Sequence, residues 1–278
     1  MSESLPTIAG VLAQARVLGV ARLDAQRLLA HAFDRPRSWL VAHDDAVLDA
    51  AQWAALRSGL NRRAGGEPLA YIVGQQEFHG LTLHVTPDVL VPRPDTEVLV
   101  DWALALLQNE LVRVEVPKVI DLGTGSGAIA LAVKRGHPAA RVTASDASPA
   151  ALALAQANAR RLRLPIEMLA GSWWMPLTDR CFHLALSNPP YIAAGDAHLP
   201  ALRHEPLFAL TPGGDGLDAL RAITADAASH LEPGGWLLLE HGFDQPAAVQ
   251  ALLREHGFTE VKTRVDLGGQ PRCTGGHR

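Results

Sequence analysis

Apolar residues in the first seventy positions recur at the spacing of a helical face. Ile8, Val11, Leu12, Ala15 and Leu18 form one stripe behind Thr7, a suitable N-cap, and Gly19 supplies a stop. Leu23, Leu28, Leu29 and Phe33 continue in a second helix closed by Pro36. A short piece covers Ser38 to Ala42. A longer helix runs from about Leu48 to Gly65-Gly66, where glycine permits a left-handed turn. Between Gln76 and Pro94 the pattern shortens. Phe78, Leu81, Leu83 and Val85 around Gly80 predict a hairpin, and Val89-Leu90-Val91 leads into Pro92-Arg93-Pro94. Asp95 or Thr96 then caps a helix through Leu99, Trp102, Ala103 and Leu106, with Glu97 in its first turn.

From Lys118 onward, short apolar runs alternate with helical stretches. Val119-Ile120 enters Asp121-Leu122-Gly123-Thr124-Gly125-Ser126-Gly127, and a helix follows from Ala128 to Lys134. Further strands are expected at Arg141 to Ser145, Ile166 to Leu169, Leu184 to Ser187 and, after the turn Pro233-Gly234-Gly235, Trp236 to Leu239. Such alternation predicts an α/β fold with a parallel sheet covered by helices on both faces. Ligands then bind at the C-terminal ends of the strands. The chain divides on this reading into a helical unit (1–74), a hairpin linker (75–94) and an α/β domain (95–278).

Composition adds bounds. Of 278 residues, 48% are hydrophobic and 19% charged, which suits a soluble globular protein. No run of eighteen apolar residues and no secretion-signal pattern is present, and Cys181 and Cys273 make no disulfide framework. A reduced, cytoplasmic setting with no membrane contact is expected. The net charge of −4 counts against a general binder of nucleic-acid phosphates. In the helical unit, eight Lys and Arg face seven Asp and Glu, so Arg57, Arg62 and Arg63 read as a solvated face and helix-end charges. The twelve histidines show no metal-ligand spacing, and no metal is expected. His241 reads as structural. Glu205 either braces the loop at Asn188-Pro189-Pro190-Tyr191 or lies on the surface.

Two stretches carry chemistry. Gly123, Gly125 and Gly127 allow a sharp turn that brings backbone N–H groups close to a ligand at a helix N-terminus. Asp146, twenty-three residues beyond Gly123, is placed to grip a ribose. By spacing alone this also fits a dinucleotide, and hence hydride transfer. Asp121 directly before the glycines favours S-adenosylmethionine instead, because a carboxylate there attracts an ammonium group and repels a pyrophosphate. The second stretch is Asn188-Pro189-Pro190-Tyr191 at the end of a strand. The two prolines stiffen it and remove donors, leaving free carbonyl oxygens, one amide and one aromatic face. It reads as a holder for a planar amino or amide nitrogen.

These residues resemble the PrmC/HemK family, the bacterial methyltransferases that modify the glutamine side-chain amide of peptide-chain release factors. The likeness spans nearly the whole chain. It includes Glu77-Phe78-His79-Gly80-Leu81, Pro92-Arg93-Pro94-Asp95-Thr96-Glu97, His204-Glu205-Pro206 and Arg272-x-Thr274-x-Gly276 beside the two stretches above. It implies a Rossmann-like class I S-adenosyl-L-methionine-dependent methyltransferase domain, preceded by a small helical bundle that docks the release factor. The loop from Gly123 through Thr124, Gly125 and Ser126 to Gly127 would hold the cofactor's amino-acid part, Asp146 its ribose, and Trp173 would lie near its adenine. Asn188 and the Pro189 carbonyl would accept from the substrate NH2, with Pro190 lining the same loop and Tyr191 packing on the amide plane. The chain departs from the family where it has Ser172 in place of a frequent Asp, and at Cys273 and His277. The implied partner is a class 1 release factor bound by a monomer, with no nucleic acid. Two other functions fit parts of the sequence: an amino methyltransferase acting on adenine or guanine, which shares the tetrapeptide, and a cofactor-binding protein without activity.

Overall fold

The computed structural model describes residues 5–278, which fall into two compact units, one through Gln75 and one from Gln76. The first unit is helical: α1 (Ile8–Val17), α2 (Arg22–Phe33), α3 (Arg37–Ala42), α4 (Ala50–Ala64) and α5 (Leu69–Val73). Thr7 caps α1 by accepting from the Gly10 N–H. Helix α4 starts two residues later than Leu48 because Asp49 and Gln52 form a reciprocal capping box. Leu48 instead joins Ile8, Val11, Leu28, Leu29 and Leu60 in this unit's core. Among the predicted cations, Arg62 pairs with Glu67 and Arg63 with Asp24.

The hairpin β1 (Gln75–Phe78) and β2 (Leu81–His84) begins at the boundary, all but Gln75 belonging to the second unit. Its two turn residues, His79 and Gly80, are both left-handed, as a tight hairpin of this length requires. After a short 3-10 turn at Pro94–Thr96 come α6 (Glu97–Gln108), β3 (Lys118–Leu122), α7 (Ala128–Gly136), β4 (Arg141–Asp146), α8 (Pro149–Leu162), β5 (Glu167–Ala170) and β6 (Phe182–Ser187). The chain ends with α9 (Asp218–Ala227), β7 (Leu231–Glu240), α10 (Pro246–Glu255), β8 (Thr259–Val265) and β9 (Pro271–His277). Seven strands form one sheet in the order β5-β4-β3-β6-β7-β9-β8.

Three expectations change. The sheet is mixed, since β9 runs antiparallel to β7 and β8 antiparallel to β9. Strand β7 begins at Leu231 and passes through Pro233-Gly234-Gly235; the irregularity shows as a register shift against β6 rather than a turn. Neither Asp95 nor Thr96 caps α6 through its side chain; the 3-10 turn leads straight into the helix, and both side chains are used elsewhere.

The sheet separates two apolar layers. One holds Leu99, Trp102, Ala103, Leu131, Val133, Leu184 and Leu238 under α6 and α7, and the other holds Ile120, Leu122, Leu220, Ile223, Leu237 and Leu253 under α9 and α10. Alternate residues of β3 serve the two layers, as a strand buried on both faces demands. No helix among the described residues is long and apolar enough to cross a membrane.

Strand β9 crosses the first layer so closely that a Cβ on Gly275 would lie 2.3 Å from Leu238 Cδ2 and 3.0 Å from the Trp102 ring. Gly275→Ala should therefore lower stability by about 1–3 kcal/mol through overpacking, read as a fall in the urea midpoint. A midpoint equal to wild type would show that the strand shifts freely.

Candidate functional site

Strand register places the chemistry. Leu122 at the end of β3 pairs with Ser145 of β4 on one side and Ser187 of β6 on the other. The next residue of each strand is Gly123, Asp146 and Asn188, so all three emerge at one level of the sheet. The strand order also reverses here, because β4 and β5 lie to one side of β3 while β6 and β7 lie to the other. A crevice at such a switch point is where open α/β sheets bind ligands.

The glycine loop is built as its sequence requires. Gly123, Gly125 and Gly127 all have positive φ (75°, 56° and 85°), a region that side chains disfavour. The Gly123 and Thr124 N–H groups donate to the Ser145 carbonyl at 2.9 and 3.0 Å. Gly125 N–H donates to Asp146 Oδ2 at 2.9 Å, and Ser148 N–H donates to Oδ1 at 2.8 Å, so Asp146 is rigidly aimed. A Cβ on Gly123 would meet the Trp173 ring at 3.2 Å. Asn158 on α8 fastens the loop from below, donating to the carbonyls of Ser126 and His84.

These parts enclose a cavity of about 270 Å³. Of the residues singled out in the sequence, Gly123, Thr124, Gly125, Ser126, Asp146, Trp173, Asn188 and Pro190 line it, and Asp121, Gly127, Pro189 and Tyr191 do not. Gly127 packs against Leu131 and Ala155 at the start of α7. Pro189 is buried. Tyr191 turns its hydroxyl to Glu240 Oε1 at 3.2 Å, and burial raises its pKa. Asn188 donates through Nδ2 to Thr96 Oγ1 at 3.2 Å, which leaves its amide oxygen free.

Pro92, Arg93, Thr96 and Ser172, named above through the family likeness, also line the cavity, and the rest of its wall had no sequence signal. Asp88, Val89 and Leu90 belong to that rest, as do Phe208 and Ala209. Glu205 explains how the first of these segments is held. Its side chain is buried, accepts from the Val91 N–H at 3.1 Å and pairs with Arg93. It thus braces the segment before α6 rather than the Asn-Pro-Pro-Tyr loop. His241 is buried and bonded to Thr274 Oγ1 at 2.7 Å, away from the cavity. Among the described residues, no cluster of His, Cys, Asp or Glu is arranged to hold a metal ion.

Asp121 lies beneath the loop, fully buried. Oδ2 accepts from Thr124 Oγ1 at 2.6 Å and from the Ala130 N–H at 3.2 Å, but Oδ1 has no partner. Burial pushes its pKa up to about 7, against the two hydrogen bonds, which lower it. This orphan oxygen lies beneath the loop and outside the cavity wall.

Comparison with known proteins fits this geometry. Residues 5–74 match the PrmC N-terminal domain and residues 96–215 the methyltransferase small domain. The release factor glutamine methyltransferase of Bordetella pertussis is 50% identical, over 93% of this chain and 96% of its own length. The chain belongs to the release factor glutamine methyltransferase family. The family member from Burkholderia pseudomallei is 45% identical over 99% of both chains. Solved structures share the fold at lower identity. A T. thermophilus 16S rRNA methyltransferase, solved with AdoMet and guanosine, has a TM-score of 0.56 at 23% identity over 73% of this chain and 49% of its own. A Pyrococcus furiosus methyltransferase has a TM-score of 0.53 at 18% identity over 71% of this chain and 89% of its own.

The buried carboxylate of Asp121 has a pH signature. Its pKa is higher folded than unfolded, so between about pH 4 and 7 the folded state holds more protons and stability falls as pH rises. Asp121→Asn removes this dependence. Its stability relative to wild type should improve as pH rises from 4 to 8, in urea titrations without ligand. A difference independent of pH would mean that Asp121 titrates normally.

Proposed function

We propose that this protein transfers a methyl group from S-adenosyl-L-methionine to the side-chain amide nitrogen of the glutamine in the Gly-Gly-Gln motif of class 1 peptide-chain release factors. The observation that carries the reading is the register of β3, β4 and β6, which opens the glycine loop, Asp146 and Asn188 into one cavity. Family membership supplies the substrate class. Adenine or guanine methylation, which the tetrapeptide alone allows, is disfavoured by that membership and by the acidic net charge of −4.

The residues fit the cofactor. The close backbone approach that the 123–127 glycines allow suits its amino-acid end, the fixed Asp146 carboxylate suits ribose hydroxyls, and Trp173 offers a flat face for adenine. When bound, the sulfonium supplies an activated methyl group. The protein's task is set by the weakness of the nucleophile, because an amide nitrogen shares its lone pair with its carbonyl. By the family likeness, the Asn188 amide oxygen and the Pro189 carbonyl accept from the substrate NH2 and Tyr191 packs on the amide plane, although of the three only Asn188 lines the cavity. Holding the nitrogen in line with the methyl carbon contributes up to roughly 7–11 kcal/mol as an entropic gain. Two acceptors on the NH2 also stabilise the positive charge that grows on nitrogen during attack. Asn188 accepts a hydrogen bond but cannot take a proton, so the proton leaves to water afterwards. The helical N-terminal unit docks the release factor, and the protein acts as a cytoplasmic monomer.

The test is methyl transfer from labelled S-adenosylmethionine to purified, unmethylated release factor. Its Gly-Gly-Ala variant and a pool of DNA and RNA run in parallel. Label on the wild-type factor alone is expected, and label on nucleic acid alone would overturn the reading. Asn188→Ala should lower kcat by about 100-fold, in line with the loss of one oriented partner at a reacting centre, while cofactor affinity falls far less. Equal losses of both would remove Asn188 from the substrate site.

A further inference from the structure

Behind the cavity wall, a chain of polar groups leads away from Asn188. Its Nδ2 donates to Thr96 Oγ1. The Thr96 hydroxyl lies beside the carboxylate of Glu240, lowering its pKa, and Oε2 of that carboxylate is buried without a hydrogen-bond partner. A hydroxyl proton rotates toward the best acceptor beside it. Tyr191 donates to Oε1 of the same group. The sheet fixes this meeting. Leu239 of β7 pairs with Ser187, so Glu240 and Asn188 leave neighbouring strands at one level, and Glu240 is only 1% exposed.

The chain has a direction. An ionised carboxylate only accepts, so the Tyr191 hydroxyl donates to it and the Thr96 hydroxyl has a buried, unpartnered oxygen to turn toward. With its proton turned toward that oxygen, Thr96 offers Asn188 lone pairs alone, and the amide presents its NH2 there. The amide oxygen is then the atom left for the cavity. Without the carboxylate, the Thr96 proton is free to turn toward Asn188, the amide flips, and its NH2 faces the substrate NH2 as donor against donor.

We infer that Glu240 and Thr96 are positioning residues for methyl transfer: the carboxylate sets the direction of the Thr96 hydroxyl, which holds the Asn188 amide with its oxygen toward the substrate nitrogen. The inference rests on the proposed role of Asn188 as acceptor for that nitrogen. Charged and titratable groups face Glu240 from three other elements: Asp95 from the turn before α6, Tyr191 from the loop after β6, and Arg272 and Cys273 from β9. Arg272 also pairs with Asp95 at 3.4 Å and Asp266 at 3.1 Å, which anchors that side. Burial raises the Glu240 pKa to about 7, against the Thr96, Arg272 and Tyr191 contacts. The orienting charge is therefore lost as pH falls through that range.

The experiment compares wild type, Thr96→Val, Thr96→Ser and Glu240→Gln for kcat and KM with unmethylated release factor at saturating S-adenosylmethionine, for S-adenosylhomocysteine affinity, and for the pH profile of kcat. Thr96→Val and Glu240→Gln are expected to lower kcat by about 10- to 100-fold, the worth of one misdirected buried hydrogen bond, with cofactor affinity retained. Thr96→Ser should recover most of the turnover lost in Thr96→Val. The fall of kcat on the acid side should flatten in Glu240→Gln. Wild-type kcat in Thr96→Val, or cofactor affinity lost in step with kcat, would overturn the relay. Should Thr96→Val fail to fold, an unchanged kcat and acid limb in Glu240→Gln would overturn it equally. Absence of label on the factor with wild-type protein would instead overturn the function itself.

Discussion

The parallel pairing of β3 with its two neighbours is the constraint on which the site depends. Three strands end at one level because Leu122, Ser145 and Ser187 share a register, and each chain then leaves the sheet with a different group. A slip of one residue would also turn every side chain of β3 to the opposite layer, exchanging Ile120 and Leu122 with Val119 and Asp121. Burial on both faces makes that slip costly, since each layer is filled by large apolar residues. The packing that stabilises the sheet therefore also sets the geometry of the cavity. Little loop structure is needed to bring the glycines and the amide together.

Three acidic residues around this cavity are buried, and their treatment differs. Glu205 is compensated: it accepts from a backbone N–H and pairs with Arg93, so it ties down the 91–93 segment. Asp121 and Glu240 each keep one oxygen without a hydrogen-bond partner, and burial raises both pKa values to about 7. A fold selected only for stability would replace such groups with apolar ones of similar volume. Their position explains their retention in the proposed reading. Asp121 holds the glycine loop from beneath through Thr124 and the Ala130 N–H, and Glu240 polarises the hydroxyl behind the amide. Both are chemically strained groups on rigid elements, where the surrounding sheet can bear the cost.

Most of the fold was legible because strong local signals agreed with tertiary need. Thr7, Gly19 and the stripe from Ile8 to Leu18 marked α1, and apolar runs followed by Asp121, Asp146 and Asn188 marked three strand ends. The last hairpin was silent. Strand β8 carries Lys262 and Arg264, and β9 carries Pro271, Arg272, Gly275 and Gly276, so neither shows a period of two in apolar residues. Their place is set by pairing with β7, a tertiary fact. The glycine loop, Asp146, Trp173 and Asn188 were also legible as lining residues, since the chemistry of each type at a strand end is distinctive. Asp88, Leu90 and Phe208 were not, because they reach the cavity from loops whose course no local pattern encodes. Thr96 was read by its position as a helix cap, but its hydroxyl accepts from Asn188 instead.

That reassignment bears on why the tetrapeptide alone does not make a methyl-transfer site. Pro189 and Pro190 stiffen the backbone and so fix where the Asn188 side chain begins. They do not fix which end of its amide points outward. Oxygen and NH2 are nearly equal in size, so packing discriminates poorly between the two orientations. Only a neighbour with a defined proton can, and a hydroxyl has one only when something else determines its direction. A buried carboxylate that accepts and cannot donate supplies that direction. The backbone of one strand end therefore sets position, while a polar chain from the neighbouring strand and the turn before α6 sets polarity. The stretch from Pro92 to Glu97 and the Asn-Pro-Pro-Tyr loop are far apart in sequence, yet they form one functional unit because Thr96 joins them.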